Sequence, residues 1–136
     1  MLGILLMLGC ACARADIYVI VSKSSPVQNL TQKEVVDLFT GRTHTFANGD
    51  YALGFDLPRE SATRAKFYNV LTGMSPAQLS SYWARLMFTG QTLPPQPVPS
   101  EDDMRAIVGR NPSAVGYLGR QPGGDDVRVV LVIKAQ

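Results

Sequence analysis

At the centre of the chain lies Tyr51-Ala-Leu-Gly-Phe-Asp-Leu-Pro-Arg-Glu-Ser-Ala-Thr-Arg-Ala-Lys-Phe67, where an apolar segment gives way to a polar, hydroxyl-rich one. The apolar half ends at Asp56-Leu57-Pro58 and is typical of a β-strand, whereas the half from Ser61 onward is typical of a helix start. A turn that feeds a helix leaves the first backbone N–H groups of that helix without partners. Because those groups and the helix dipole favour negative charge, the segment predicts a binding site for a small oxyanion.

The predicted anion site consists of Ser61, Ala62, Thr63 and Arg64, with Arg59 beside it. The two hydroxyls and the backbone N–H groups would donate hydrogen bonds, and the two arginines would add positive charge. A purely structural interpretation stands beside this one, in which Ser61 only caps a helix and both arginines are solvated. The local sequence leaves both interpretations open.

Strands and helices alternate on either side of this segment. Apolar, β-branched segments predict strands at Asp16–Val21, Tyr51–Phe55, Ala114–Leu118 and Val127–Ile133. Capping residues predict helices that begin at Thr31, Ser61, Ser75 and Ser100. This alternation, without an internal repeat, predicts a single α/β domain built as a three-layer sandwich.

Two further predictions concern the middle of the chain. The helix that begins at Ser75 should bury an apolar face, made of Leu79, Trp83, Leu86 and Met87. The proline-rich segment Thr89–Pro99 that follows should be a surface connection.

Residues 1–15 are predicted to be a cleaved signal peptide, which would deliver residues 16–136 to the periplasm. Leu2–Leu8 is apolar, and Ala13-Arg14-Ala15 has the small-x-small form of a cleavage site. The segment is too short for a membrane-spanning helix, which needs about 20 apolar residues. Lipid attachment at Cys10 and an N-terminus that is no signal at all are the alternatives.

Composition argues against several kinds of function. With 13 Lys and Arg against 11 Asp and Glu, the chain lacks the positive excess of a nucleic-acid binder. Both cysteines, Cys10 and Cys12, fall in the predicted signal peptide, so the mature domain would have neither disulfides nor a cysteine metal site. The one histidine, His44, has no ligand partners at a suitable spacing. We therefore expect no metal, no cofactor and no catalytic residue.

Three short sequence motifs, in the order given below, resemble motifs of the phosphate-type (PstS-like) periplasmic substrate-binding proteins of ABC transporters. Leu38-Phe-Thr-Gly-Arg-Thr43 resembles a helix-ending phrase of that family. Asp56–Phe67 resembles its phosphate-gripping strand-turn-helix segment, and Asn111-Pro-Ser-Ala-Val-Gly-Tyr117 resembles a late turn and strand. The resemblance implies one lobe of a type II periplasmic binding protein, which would bind an inorganic or organic oxyanion reversibly, without a chemical step, and would work with an ABC permease or a membrane sensor.

The chain also departs from that family. The full members close two lobes on their ligand, so a second lobe or a second copy of this chain would have to close the site. The family's binding Ser and Thr are kept, but its Gly is Ala62, and the Arg and Asp that precede the phrase fall on Leu57 and Arg59. The acidic residue that selects a protonated phosphate is therefore missing, unless Asp56 or Glu60 replaces it.

Weaker candidates for anion binding lie elsewhere in the chain. Ser24 and Ser25 follow the first strand, where α/β sheets commonly place their ligands, and Arg42 follows the first helix. The alternative to a solute-binding module is a lobe that has lost ligand binding and docks on a membrane sensor or transporter component.

Overall fold

Strands and helices alternate along residues 16–134, the part of the chain that the computed structural model describes. The strands are β1 (Ile17–Ser22), β2 (Leu53–Asp56), β3 (Gln96–Pro97), β4 (Ala114–Leu118) and β5 (Val127–Ile133). The helices are α1 (Gln32–Phe39), α2 (Ala62–Thr72), α3 (Pro76–Phe88) and α4 (Glu101–Arg110). The predicted signal peptide lies outside the described residues. Within residues 16–134, no helix is long and apolar enough to cross a membrane.

The strands form one mixed sheet in the order β3-β2-β4-β1-β5. β2 runs parallel to both of its neighbours, whereas β1 is antiparallel to β4 and β5. In the β1–β4 pair, Tyr18 lies opposite Leu118 and Val21 opposite Val115. The carboxyl ends of β2, β3 and β4 therefore share one edge of the sheet, and β1 ends at the other edge. We call these the carboxyl edge and the opposite edge.

Adjacent residues of β4 show that helices cover both faces of the sheet. At Gly116, a side chain would collide with Met104 of α4, so α4 packs closely on that face. On the other face the Tyr117 ring stacks on Phe67 of α2 at 3.8 Å, and it meets the edge of Phe39 of α1 at 5.8 Å. Because side chains alternate across a strand, α4 lies in one layer and α1 and α2 in another. The predicted three-layer α/β sandwich is confirmed.

The helix ends follow their capping residues. Thr31 and Glu34 form a complete capping box at the start of α1, and the side chain of Ser61 accepts from the backbone of α2. Gly73 ends α2 with φ of 74°, a conformation that glycine adopts without the steric cost of a side chain. The helix starts predicted from these residues are confirmed.

Three details differ from the sequence prediction. Tyr51 lies outside β2, makes only an isolated bridge to Thr45 and is exposed. Trp83 is buried as predicted, but Met87 is 48% exposed because it lies at the rim of a surface groove rather than in the core. Within the predicted surface connection, Gln96–Pro97 forms β3, an edge strand too short to leave a periodic pattern.

Candidate functional site

The predicted anion site lies at the carboxyl edge of the sheet. β2 ends at Asp56, the chain turns, and Ser61 begins α2 at the same edge. Gly119, which follows β4, lies beside them, because a side chain there would come within 2.7 Å of the Thr63 hydroxyl. Its N–H donates to a carboxylate oxygen of Glu101, the first residue of α4. Connections from three strands therefore meet at one point, as is usual for ligand sites of α/β sheets.

The Asp56 carboxylate is buried beneath this point, at 4% exposure, and has a donor at every position. Oδ1 accepts from the N–H of Leu57 at 2.9 Å and from the Tyr117 hydroxyl at 2.5 Å. Oδ2 accepts from the Tyr68 hydroxyl at 2.8 Å and from Nε of Arg64 at 3.1 Å. The arginine neutralises the buried charge, and the other three donors satisfy the remaining lone pairs.

Both tyrosine hydroxyls stay protonated over the physiological range. Burial, followed by the negative charge of Asp56, raises the pKa of Tyr68 well above its ordinary value of 10.0. The same two causes, in the same order, raise the pKa of Tyr117. The two rings therefore act as permanent donors to the carboxylate.

Arg64 uses only part of its guanidinium on this carboxylate. Nε donates to Asp56, and Cζ lies 5.2 Å from the centre of the Tyr68 ring. The side chain is 13% exposed. Its two terminal nitrogens donate to no protein acceptor among residues 16–134. Arg64 is therefore fixed in place by Asp56, while its two terminal nitrogens can still donate hydrogen bonds to a ligand.

The first turn of α2 adds neutral donors. The Ser61 side-chain oxygen accepts from the N–H of Arg64 at 3.1 Å, which leaves the hydroxyl hydrogen free to donate. The N–H groups of Ala62 and Thr63 have no acceptor in the described part of the chain, as expected for a first helical turn. The start of α2 therefore carries Ser61, Ala62, Thr63 and Arg64 in one helical turn, and their role in anion binding stays a prediction.

Arg59 turns away toward α3. Its Nη2 donates to the Ser80 hydroxyl at 2.9 Å, so this arginine ties the turn to a neighbouring helix. The structure does not join it to the hydroxyls of the α2 start.

The weaker candidates are not brought to the site either. Ser24 and Ser25 lie at the opposite edge, because β1 is antiparallel to β4 and ends where β2 and β4 begin. The Ser25 oxygen there accepts from the N–H of Val27. Arg42, in the loop after α1, lies 3.9 Å from a carboxylate oxygen of Asp37.

Four residues of the site were not among the sequence-predicted candidates: Tyr68, Tyr117, Gly119 and Glu101. A tyrosine within a buried apolar segment is a detectable signal, because its hydroxyl must find a polar partner. The identity of that partner, far away in the chain, was not detectable. In residues 16–134 no group of three or more His, Cys, Asp or Glu side chains could hold a metal ion.

Comparison with known proteins identifies solved structures that share this fold. No family model matches the chain, and no curated protein matches it. Solved structures do. A protein from Clostridium perfringens, assigned as a phosphate ABC transporter substrate-binding protein and solved with bound phosphate, matches with a TM-score of 0.67 at 22% identity, over 85% of this chain and 45% of that one.

Two further structures agree. An ABC-type phosphate transport receptor from Vibrio cholerae matches with a TM-score of 0.65 at 19% identity, over 85% of this chain and 46% of that one. PstS from Borrelia burgdorferi matches with a TM-score of 0.58 at 12% identity, over 77% of this chain and 41% of its own. The chain spans less than half the length of each. It therefore shares its fold with a part of the phosphate-type substrate-binding proteins, the group that its three sequence phrases resemble.

Proposed function

We propose that this chain is an exported solute-binding module that reversibly binds a small oxyanion, phosphate or one like it, at the start of α2. The observation that carries the proposal is the set of unused donors there. The N–H groups of Ala62 and Thr63 and the Ser61 hydroxyl lie within one helical turn. Arg64 belongs to the same turn, and its terminal nitrogens have no acceptor within residues 16–134. The fold shared with phosphate-binding proteins supports the same assignment.

The charges around the site favour an anion, but only moderately. Asp56 and Arg64 form a neutral ion pair, and the dipole of α2 adds partial positive charge at the helix start. The Glu101 carboxylate opposes them, although the N–H of Gly119 partly offsets its charge. The site lies at the surface, where Ala62 is exposed, so we expect weak binding. A second lobe or a second copy that covered the ligand would tighten binding.

The test is a titration of the purified protein with phosphate and with sulfate, followed by NMR at the amides of Ala62 and Thr63. Saturable shifts at these amides, lost in the double variant Ser61→Ala/Thr63→Ala, are the expected result. Ser75→Ala is the matched control, because Ser75 caps α3 with the same geometry, its oxygen accepting from Gln78 at 3.2 Å. Shifts at these amides that are absent in the wild type would exclude this site. Shifts that survive the double substitution would show that the two hydroxyls do not bind the anion.

The cellular setting is part of the same proposal. Residues 1–15 would act as a cleaved signal peptide that directs the module to the periplasm, where an ABC permease or a membrane sensor would receive it. The module would carry out no chemical step. Mass measurement of the protein secreted from its own host would test the cleavage after Ala15.

A specific observation favours a second candidate, a lobe that docks on a membrane sensor or transporter component. A groove of about 770 Å³ has Tyr51, Met87 and Leu93 among its lining residues, and Leu93 is 78% exposed. Phe88, next to Met87 in the chain, is 93% exposed. Exposed apolar surface of this kind marks interaction sites. Co-purification with a co-expressed permease, lost on Leu93→Ser and kept on Ser61→Ala, would support this candidate.

A further inference from the structure

We infer that Asp56 is a positioning residue for the anion site and not a ligand of the anion. Its carboxylate holds Arg64 by Nε and thereby leaves both terminal nitrogens of the guanidinium for the bound oxyanion. This inference rests on the proposed function, since it assigns a role within the same site.

The number of donors around Asp56 supports the inference. An ionised carboxylate offers about four acceptor positions. The backbone N–H of Leu57, the hydroxyls of Tyr68 and Tyr117 and Nε of Arg64 fill them, two on each oxygen. No position remains for a second nitrogen of the arginine, and none remains for a hydroxyl of the ligand. Asp56 therefore cannot replace the acidic residue that selects a protonated phosphate.

The ion pair with Asp56 also restrains the Arg64 side chain before any anion binds. A solvated arginine must give up side-chain freedom when it binds an anion, and a held one has already given it up. Here Nε is fixed on a carboxylate that is itself buried, and the Tyr68 ring lies 5.2 Å from the guanidinium carbon. A planar guanidinium held by Nε can still present its terminal nitrogens as a fork, the geometry that suits phosphate, sulfate and carboxylate.

The experiment is a comparison of Asp56→Asn with the wild type, titrated separately with phosphate and with sulfate. Because Asp56 acts through Arg64 and not on a ligand proton, both affinities should fall by the same factor, about tenfold or more. Loss of phosphate affinity alone, with sulfate unchanged, would make Asp56 a proton acceptor and overturn the inference.

A double-mutant cycle tests whether Asp56 affects anion affinity through Arg64. In the Arg64→Ala background, Asp56→Asn should change the remaining affinity by less than about twofold, because the group through which it acts is gone. Affinity losses that multiply in the double variant would show that Asp56 acts independently of Arg64, and would overturn the inference.

A gentler variant applies if Asp56→Asn does not fold. Tyr68→Phe keeps the ring but frees an acceptor position on Oδ2, which a terminal nitrogen of Arg64 can then take. Affinity for both anions should fall about threefold or more, the value of one competing hydrogen bond. Tyr82→Phe is the control, since it removes a hydroxyl that donates to the Thr40 carbonyl at 2.6 Å. Unchanged affinity in Tyr68→Phe would overturn the inference.

The two proposals fail in different ways. If the wild-type protein binds neither anion at the amides of Ala62 and Thr63, the proposed function fails. If the wild type binds and the Asp56 and Tyr68 variants bind as well as it does, only the role of Asp56 is wrong.

Discussion

Two arginines, one at each edge of the sheet, show the difference between a structural cation and one available to a ligand. At the opposite edge, Arg128 directs its terminal nitrogens at three carbonyls, those of Ser25, Val27 and Lys23, at 2.7–3.1 Å. At the carboxyl edge, Arg64 spends only Nε, and its terminal nitrogens have no acceptor in the described chain. Residue type is the same at both edges. What differs is how many guanidinium N–H groups already donate hydrogen bonds within the protein.

The serines repeat this contrast. Ser22 donates to the Gly109 carbonyl at the opposite edge, and Ser25 accepts from the backbone of its own loop. Ser61, at the carboxyl edge, accepts from the helix and keeps its hydrogen free. Of these three serines, Ser22 and Ser25 are buried at the opposite edge, and Ser61 is the one proposed as a ligand donor.

The largest expected effect comes from Arg64→Ala. It leaves the buried Asp56 charge without its cation, which costs about 3–5 kcal/mol of unfolding free energy. It should also lower anion affinity at least as much as Asp56→Asn does, because it removes the charged donors through which Asp56 is proposed to act. Urea denaturation and the phosphate titration give the two numbers. A loss below about 1 kcal/mol would mean that the pair is not effectively buried.

Arg128→Ala should cost less and should separate stability from binding. Removal of its charged donors from three carbonyls is expected to lower the unfolding free energy by about 2 kcal/mol. Anion affinity should stay within about twofold of the wild type, because the residue lies at the other edge. A large change in affinity would contradict the division of roles between the two edges.

High pH should lower the stability of the whole domain through the two buried tyrosines at the carboxyl edge. The pKa values of Tyr68 and Tyr117 are raised in the folded state, so the folded protein keeps protons that the unfolded chain loses near pH 10. Stability from these hydroxyls is complete below that pH and falls as the pH rises above it. Urea midpoints from about pH 8 to about pH 11 would measure the decline. In Tyr117→Phe the decline should be shallower, and an identical slope would contradict the assignment.

The smallest expected effect compares two helix caps. Ser61→Ala and Ser75→Ala should each cost about 1 kcal/mol, the usual value of a capping serine. Added phosphate should stabilise Ser75→Ala as it does the wild type, and Ser61→Ala less. Thermal unfolding with and without phosphate measures both, and an equal response would make Ser61 a cap only.

Much of the fold was predictable because its signals are local. The capping box of Thr31 and the caps at Ser61 and Ser75 depend on residues three positions apart, and all three helices begin there. The buried strands β1 and β4 were marked by apolar runs, and β5 by β-branched residues on either side of Arg128. Two-residue β3 was missed, because so short a strand leaves no period and contains a proline.

The sequence by itself determined where α2 begins and that its first turn carries unused donors, since both follow from the chemistry of neighbouring residues. Only the tertiary structure decided that these donors belong to the same turn as an arginine fixed by a buried carboxylate. β1 carries no local mark of its direction, and its antiparallel pairing places Ser24 and Ser25 away from the site. Asp56 meets Tyr117 across 61 positions of the chain. Contacts over such distances depend on how the strands pair, and no local preference specifies that.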